Sequence, residues 1–314
     1  MMSFKEGVMN NMKYLIFLVF LGLFSACANS GPGNIVESVI PDTTGIPELI
    51  NRMTDAEIGV IIDEETLLEG KKRHKGIMAV PQSGDDFRRA EMDRLYWPKV
   101  VVHDGDFRGA SVRSGRCVGA DFHGSDFRGA DIRWTILDEA NLTETNFSQA
   151  RLFHVHVGKA NLSNSNFRGA NMFGMEGHFA NLTNCDFSGA LMKDSEFVET
   201  DFTGSIGLKA VLFRAVLKDS KVDSCDFSFA DFTGAGLEGS TFRNTKLIGA
   251  NFQGGHLQGA DFSGADLKDC NFFGTEFEGT NFKGAKNIPE SIHQFIGKDG
   301  MATGIWQDAG RQSY

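Results

Sequence analysis

The sequence has few of the residues on which enzyme chemistry and covalent cross-linking usually depend. Its 314 residues include 5 cysteines, 6 prolines, 3 tryptophans and 3 tyrosines. It lacks a glycine-rich phosphate loop, a GxSxG elbow, an HExxH motif and a CxxC pair. We therefore expect no enzyme, no catalytic residues, no cofactor and no metal site.

Long apolar stretches are also scarce, with one exception near the amino terminus. The run Tyr14–Phe24 is shorter than the roughly 18 to 20 apolar residues of a membrane span. Lys13 before it and small residues after it predict a signal peptide over 1–26. The segment "LFSAC", which ends at Cys27, resembles the lipobox of bacterial lipoproteins, although Phe24 stands where that family has a smaller aliphatic residue.

The lipobox resemblance implies that Cys27 carries acyl chains and inserts them into a lipid bilayer. We expect an exported, membrane-anchored lipoprotein of a bacterial cell envelope, at the outer membrane or the periplasmic face. Residues 27–44 then form the lipid-attachment cysteine and a flexible tether. A plain cleaved signal and an uncleaved segment are the alternatives, and Met12 is an alternative start to Met1. From Cys27 onward the net charge is −11, which argues against binding nucleic acid.

A five-residue period dominates the rest of the sequence. Every fifth residue from Phe107 to Phe282 gives 36 positions, of which 34 are apolar; Gly177 and Gly207 are the exceptions. Two residues before them stands Gly, Ala, Ser, Thr or Cys in 34 of 36 cases. Residues two apart in an extended chain share a face, so the large and the small residue of each repeat both point inward. The polar or glycine residues between one such pair and the next predict a tight turn. A chain that turns every five residues winds into a solenoid.

Segments such as "ADFHG", "ANLTE", "ADFSG" and "ADLKD" resemble the pentapeptide repeat family and its A(D/N)LXX consensus. The resemblance covers residues 105–285. It implies an all-β solenoid, a right-handed quadrilateral β-helix with four repeats per coil and about nine coils. All six prolines lie outside this range, as expected if each repeat donates to a ladder.

The remaining regions predict short helical caps at both ends of the solenoid. Region 45–104 is interpreted as a helical N-terminal cap region, because Thr54 and Glu57 have capping-box spacing before an apolar periodic segment that ends at Gly70. The coils could also begin near residue 85, with "LYWPKVVV" interrupting them.

Region 286–314 is interpreted as a C-terminal cap helix and tail. Pro289 is a suitable helix start, and Ile292, Phe295 and Ile296 share one face of the predicted helix. The family resemblance implies that such a helix sometimes dimerises the protein, so a homodimer through it stays an alternative to capping alone.

Two irregular repeats and the cysteines lead to further expectations. Met175 precedes Gly177 by two residues, so the large and small inward positions are exchanged. Gly207 has no such compensation, which predicts a defect or local rearrangement in its coil. The inward cysteines are expected to be buried free thiols: Cys117, Cys185, Cys225 and Cys270.

One outward region departs from the polar pattern and is the candidate partner-binding patch. It contains Arg133, Trp134, Arg151, Phe153, His154, His156, Phe173 and His178. Exposed aromatic and basic clusters are typical of binding surfaces. The alternatives are that the aromatics cover a corner or meet the N-terminal segment, or that the histidines bind a metal. A second apolar patch flanks Gly207 and would vanish if that coil shifts: Ile206, Leu208, Val211, Phe213 and Val216.

These observations favour a non-enzymatic, lipid-anchored envelope scaffold whose partner is an unknown protein or envelope component. The family resemblance implies an alternative, a DNA mimic that binds and protects DNA gyrase. Gyrase is cytoplasmic, whereas the signal exports this chain. Residues 105–285 also carry 17 basic against 23 acidic side chains, and the basic residues are scattered over every face. A mimic of duplex DNA needs a dense acidic stripe.

Overall fold

A computed structural model of the protein describes residues 81–304, and these residues wind into a four-sided β-helix. The residue before each large apolar residue forms a parallel bridge with the residue 20 positions later, from Asp86 and Asp106 to Asp266 and Lys286. Each 20-residue coil makes four such bridges, one on each side. We number the faces by their large inward residues: face 1 contains Phe107, face 2 Val112, face 3 Cys117 and face 4 Phe122.

Most repeats close with the same backbone hydrogen bond. The N–H of the small inward residue donates to the carbonyl of the preceding large residue, as from Ala90 to Phe87 at 2.9 Å. The second residue of the turn has a positive φ throughout the coils, for example 63° at Gly109 and 58° at Trp134. This is the conformation that a type II turn requires, and glycine adopts it without steric cost.

Stacked side chains fill the interior at the spacing of the β-ladder. The N–H of each large residue donates to the next coil, as from Phe107 to the Asp126 carbonyl at 2.8 Å. Phenylalanine rings follow one another along face 1, with centroids 4.3 Å apart for Phe107 and Phe127 and 5.2 Å apart for Phe147 and Phe167. Each buried ring contributes about 1.5 to 3 kcal/mol of apolar burial.

The small inward residues satisfy their own polar atoms. Ser165 Oγ donates to the Leu142 carbonyl at 2.7 Å, and Thr280 Oγ1 donates to the Leu257 carbonyl at 2.7 Å. Cys185 follows the same pattern, with Sγ 3.1 Å from the Leu162 carbonyl. All four cysteines of the described residues are free and buried, as the sequence predicts, and burial raises the pKa of each thiol to about 12.

The predicted defect at Gly207 is wrong. The ladder runs through this coil without interruption, because Ile206 pairs with both Asp186 and Asp226. The space that a side chain on Gly207 would fill is taken by the ring of Phe227, whose Cε1 lies 2.1 Å from the position of a Cβ. At Gly177 the predicted exchange is confirmed: Met175 is fully buried, and the ring of Phe197 occupies the gap.

The β-helix begins before the predicted boundary at residue 105, close to the alternative start near residue 85. Bridges start at Asp86, so the ladder to Lys286 spans ten coils rather than nine. The segment "LYWPKVVV" continues the repeat, with Leu95 and Trp97 buried. Pro98 is tolerated because it occupies the first turn position, whose N–H makes no backbone hydrogen bond in these coils. The expectations for the signal peptide, Cys27, the tether and the predicted helix before Gly70 fall outside the described residues.

At the other end, the chain forms a 3-10 helix, Glu290–Phe295, and then returns over the last coil. Ile292 is buried and Phe295 packs edge-on against Phe277, with centroids 5.1 Å apart. Ala302 then donates to the Thr280 carbonyl and accepts from Gly279. Ile292 and Phe295, the apolar residues of the predicted dimer helix, therefore pack on the chain's own coil. Within residues 81–304, no helix has the length and apolar character needed to cross a membrane.

Candidate functional site

Most of the predicted patch lies on one edge of the β-helix, where face 2 turns into face 3. Each coil contributes the two outward residues of its turn to this edge, and residues 20 apart stack. We call the resulting surface the aromatic edge. It comprises Arg133, Trp134, Phe153, His154, Phe173, Lys193, Phe213 and Arg214.

The rings of the aromatic edge contact one another from coil to coil. Phe153 and Phe173 stack with centroids 5.0 Å apart and an interplanar angle of 8°. Trp134 meets Phe153 edge-on at 5.7 Å and stays 47% exposed. Such pairs contribute about 0.5 to 1.5 kcal/mol beyond burial. The edge therefore presents an ordered aromatic surface to solvent.

His154 is held in a defined tautomer between these rings. Its Nδ1 lies 3.1 Å from the Gly174 carbonyl, which can only accept, so Nδ1 carries the proton. The imidazole fits because residue 174 is glycine: a Cβ there would lie 2.5 Å from His154 Cε1. The histidine thus packs along the backbone and also meets Phe153 and Phe173 edge-on, with ring centroids 4.3 and 5.9 Å apart.

Basic groups lie beside the aromatic rings. The Arg133 guanidinium is 5.2 Å from the Trp134 ring centroid, and it also forms two hydrogen bonds of 2.7 Å with Asp131. The hydrogen bond with Asp131 raises the pKa of Arg133. Arg151 reaches the same carboxylate at 4.0 Å. A cation over an aromatic face is a favourable arrangement that also fixes the ring.

Further along the edge, Phe213 is flanked by two cations. Lys193 Nζ lies 5.2 Å from its ring centroid and the Arg214 guanidinium 5.5 Å. Arg214 Nε donates to Asp194 Oδ1 at 2.6 Å. Phe213 belongs to the same column as Phe153 and Phe173, so the sequence-based division into two separate patches is wrong at this point.

The second predicted patch stays on the surface, because its coil does not shift, but its residues divide among three faces. Val211 and Phe213 lie on face 2 and its edge, and Val216 lies on face 3. Ile206 and Leu208 lie on face 1, at 43% and 40% exposure, and Phe229 of the next coil is 60% exposed. Reading the sequence at a period of 20, rather than along the chain, is the signal that would have shown this division.

His156 and His178 lie on face 3, beside the aromatic edge rather than on it. They pair with carboxylates of the next coil, at 3.2 Å for His156 and Glu176 and 3.8 Å for His178 and Glu196. Together with Asp138, Glu139, Gly158, Lys159 and Phe179 they line a shallow cleft of about 300 Å³. No group of three potential metal ligands occurs within residues 81–304.

The Asp and Asn residues before the large inward residues have structural partners. Asn141 Nδ2 donates to Asp121 Oδ1 at 2.8 Å, and Asn141 Oδ1 accepts from the backbone N–H of Thr143 at 3.3 Å. The same side-chain-to-backbone bond recurs at Asn161 and Asn181. These bonds stabilise each turn, as Asx motifs do, so the amides and carboxylates of this ladder are part of the scaffold.

Solved structures of several repeat proteins are similar to this chain. HetL, a pentapeptide repeat protein involved in heterocyst differentiation regulation from the cyanobacterium Nostoc sp. strain PCC 7120, is 22% identical over 68% of this chain and 94% of its own, with a TM-score of 0.44. Trypsin-treated QnrB1, a plasmid-mediated fluoroquinolone resistance protein, is 18% identical over 72% of this chain and 89% of its own, with a TM-score of 0.26. A pentapeptide repeat protein of the Arabidopsis thaliana thylakoid lumen is 28% identical over 40% of this chain and 79% of its own, with a TM-score of 0.14.

A search of the curated proteins gives no significant match. The family described as pentapeptide repeats matches in 8 copies over residues 106–143, 145–172, 178–206, 210–247 and 245–284, which together make up more than half of the chain. The family match and the four bridges per coil together identify the fold as the right-handed quadrilateral β-helix of pentapeptide repeat proteins. The chain belongs to the pentapeptide repeat family.

Proposed function

We propose that this protein is a non-enzymatic scaffold, anchored in a bacterial cell envelope through a lipid on Cys27, that binds a protein partner through the aromatic edge. The observation that carries the binding proposal is a surface column of three rings and one cation: Phe153, Phe173, Lys193 and Phe213. Aromatic and arginine side chains supply most of the binding energy at protein interfaces.

The exposure of Trp134 supports a binding role over a purely structural one. Trp134 and His154 occupy the left-handed turn position, with φ of 58° and 50°. Other non-glycine residues occupy this position in many turns of the same β-helix, so the backbone conformation alone does not mark the site. The Trp134 indole is 47% exposed, and an exposed tryptophan beside aromatic and basic groups is typical of binding surfaces.

The gyrase-binding alternative has weaker support from the charges. On face 1 the acidic column is interleaved with arginines, so that Arg108 Nη2 lies 2.6 Å from Asp106 and its Nε 3.8 Å from Asp126. Arg128 in turn lies 2.6 Å from Asp126. Phosphates on duplex DNA form an uninterrupted acidic surface, whereas Asp106 and Asp126 are each matched by neighbouring arginines. We therefore propose an envelope partner rather than gyrase.

The binding proposal is tested with a photo-cross-linking residue in place of Phe173 in living cells. We expect a discrete cross-linked protein from this site. The matched control places the same residue at Phe273, which occupies the same column and the same turn position five coils away. Equal yields from both sites would contradict a specific role for the aromatic edge.

The lipid anchor is tested by labelling cells with a palmitate analogue, with Cys27→Ala as the control. We expect the wild-type chain to carry label and to sediment with membranes, and the variant to do neither. An unlabelled, cytosolic wild-type chain would refute the envelope proposal and make inhibition of gyrase supercoiling the next assay.

A further inference from the structure

We infer that the cleft beside His156 and His178 binds the guanidinium group of an arginine side chain presented by another protein. The cleft lies where face 3 turns into face 4, and we call it the Gly158 cleft after the residue at its floor. It shares no residue with the aromatic edge. The inference therefore goes beyond the proposed function and can hold or fail without it.

The cleft exists because one turn residue lacks a side chain. Residues 20 apart stack along this edge, and Gly158 stands between Asp138 and His178 at the first turn position. The φ of Gly158 is not positive, so the backbone does not require glycine there. Val198 occupies the same position two coils later, so the turn accepts a side chain. The glycine therefore leaves a gap between the side chains of two coils.

The side chains on both sides of the gap are held by the backbone. Asp138 Oδ1 accepts from the Gly158 N–H at 2.8 Å. His178 Nδ1 accepts from the Val198 N–H at 3.3 Å, so this nitrogen carries no proton. Because these walls are already oriented, they lose little conformational freedom when a group enters the cleft.

The cleft is acidic, and its carboxylates are not matched by arginines of the described chain. Asp138, Glu139 and Glu176 line it together with one cation, Lys159. Within residues 81–304 no Lys or Arg forms an ion pair with these three carboxylates, and the ion-pair partner of Glu176 is His156. The carboxylates of the aromatic edge, by contrast, pair with arginines. The Gly158 cleft therefore favours a cation from outside.

Phe179 adds an aromatic ring to the rim of the cleft. Its side chain is 53% exposed. The cation–ring contacts within residues 81–304 involve the rings of Trp134 and Phe213, and none of them involves Phe179. A ring without a cation of its own, beside carboxylates without an arginine, is a favourable place for an incoming cation.

The dimensions and the chemistry of the cleft fit a guanidinium. Side chains two coils apart are separated by about 9.6 Å, which is twice the spacing of about 4.8 Å between stacked strands. A charge-assisted hydrogen bond of about 2.8 Å on one side and a cation–ring distance of up to about 6 Å on the other bridge this gap. A guanidinium can donate two hydrogen bonds to a carboxylate and stack on a ring, whereas an ammonium is a compact point charge.

The shape of the cleft favours a side chain of a protein over a free small molecule. Pockets for small molecules enclose most of the ligand surface, whereas Glu139, Lys159 and Phe179 are all exposed. A guanidinium that belongs to a protein surface does not need this enclosure, because the surrounding surface supplies further contacts. A metal ion is not supported, since no group of three potential metal ligands occurs within residues 81–304.

The test follows the backbone amide NMR signals of Gly158 and Val198 in the purified full-length chain. Their N–H groups contact Asp138 and His178, so their signals report directly on the cleft. The probe is acetyl-arginine methylamide, and the matched control is acetyl-citrulline methylamide, which has a similar shape without the charge. We expect saturable shifts with the arginine probe and binding at least about tenfold weaker with the citrulline probe.

Four variants show which groups hold the probe. Asp138→Asn removes a charge but keeps an oxygen that can accept from Gly158, and Phe179→Gly removes the ring at a turn position that glycine often fills. We expect binding about tenfold weaker in the first and about threefold weaker in the second. Phe229→Gly is the matched control, an exposed ring at the same turn position on another edge, and it should bind like the wild type. Lys159→Met removes the competing cation and should tighten binding about threefold.

Equal binding of the arginine and citrulline probes would overturn the inference. So would an absence of saturable shifts in the wild type, or unchanged binding in both Asp138→Asn and Phe179→Gly. Tighter binding of ethylguanidinium than of the arginine probe would identify a free small molecule as the ligand and overturn the assignment to a protein side chain. None of these results depends on the Phe173 cross-link, so a failure of this inference is distinguishable from a failure of the proposed function.

Discussion

Restoring the repeat consensus at Gly207 should destabilise the protein. By the five-residue rule this position should hold a large apolar residue, as at Phe187 one coil before it. The structure shows why Gly207→Leu will not fit: the ring of Phe227 already fills the space, and a Cβ would lie 2.1 Å from Cε1 of that ring. Phe227 is fully buried and packs against Phe232 with centroids 5.7 Å apart, so the ring has no free volume to enter.

The magnitude follows from the volume added to a packed core. Overpacking by a few methylene groups costs about 1 to 3 kcal/mol, and four carbons placed against a ring lie at the upper end, so we expect a loss of about 3 kcal/mol. Phe227→Ala alone should cost about 3 to 5 kcal/mol by leaving a cavity. In the double variant the new leucine fills that cavity, so its loss should be smaller than the sum of the two single losses by more than about 1 kcal/mol.

Urea unfolding followed by circular dichroism measures these differences. The control is Gly254→Leu, at a turn where a Cβ would meet nothing within 4 Å and where φ is 64°. That substitution adds only the left-handed backbone cost, about 1 to 2 kcal/mol. A Gly207→Leu protein as stable as the wild type, or exact additivity in the double variant, would refute the packing argument.

Three further predictions follow from the turns, the thiols and the carboxylates. Trp134→Gly should abolish the Phe173 cross-link in cells yet leave the urea midpoint unchanged or higher, since glycine removes the left-handed strain; a lower midpoint would indicate a structural role instead. The four buried thiols should resist a thiol reagent at pH 8 and react only in urea, because burial raises the pKa of each to about 12: Cys117, Cys185, Cys225 and Cys270. Burial raises the pKa of Asp93, but the hydrogen bonds from Arg113 and Ser111 together lower it by more. The net result is a pKa below the ordinary value of 3.8. A carboxyl whose pKa is lowered by folding stabilises the protein above pH 3.8, and this stabilisation is lost as the pH falls below that value. Asp93→Asn should therefore reduce the drop in urea midpoint between pH 6 and pH 3. An unchanged drop would contradict this assignment.

The inward-facing residues can be predicted from the sequence, because the same local spacing of large and small residues recurs in every repeat. A large residue at one position and a small residue two before it fix which side chains enter the core, and the stacked column of Phe147, Phe167 and Phe187 can be predicted from spacing alone. The same rule failed at Gly207, because a gap in one coil was filled from the next. Sequence spacing gives the position of a side chain but not the tilt of its ring.

The continuity of the first coils and the extent of the site depend on contacts that chain order does not show. Proline removes a donor from a ladder, so the sequence predicts an interruption in the segment that contains Pro98. In this turn, however, the position it occupies donates to no backbone group of the coils, so proline is neutral there. Chain order places Phe213 in a patch with Val211 and Val216, although its neighbours in the aromatic column are 20 residues away.

The architecture explains why the candidate site lies at an edge. Four of the five residues in each repeat take part in the fold: two enter the core, one makes the bridge, and the second turn residue must accept a positive φ. The first turn residue has no inward side chain, and its only hydrogen bond between coils is made by its carbonyl, as when Phe153 accepts from Trp134 at 2.9 Å. Its side chain is therefore the least constrained of the five. That position supplies Arg133, Phe153, Phe173, Lys193 and Phe213 to one continuous column. Packing does not require rings and cations at the position where the fold constrains the side chain least, and this is the argument on which the proposed partner-binding surface rests.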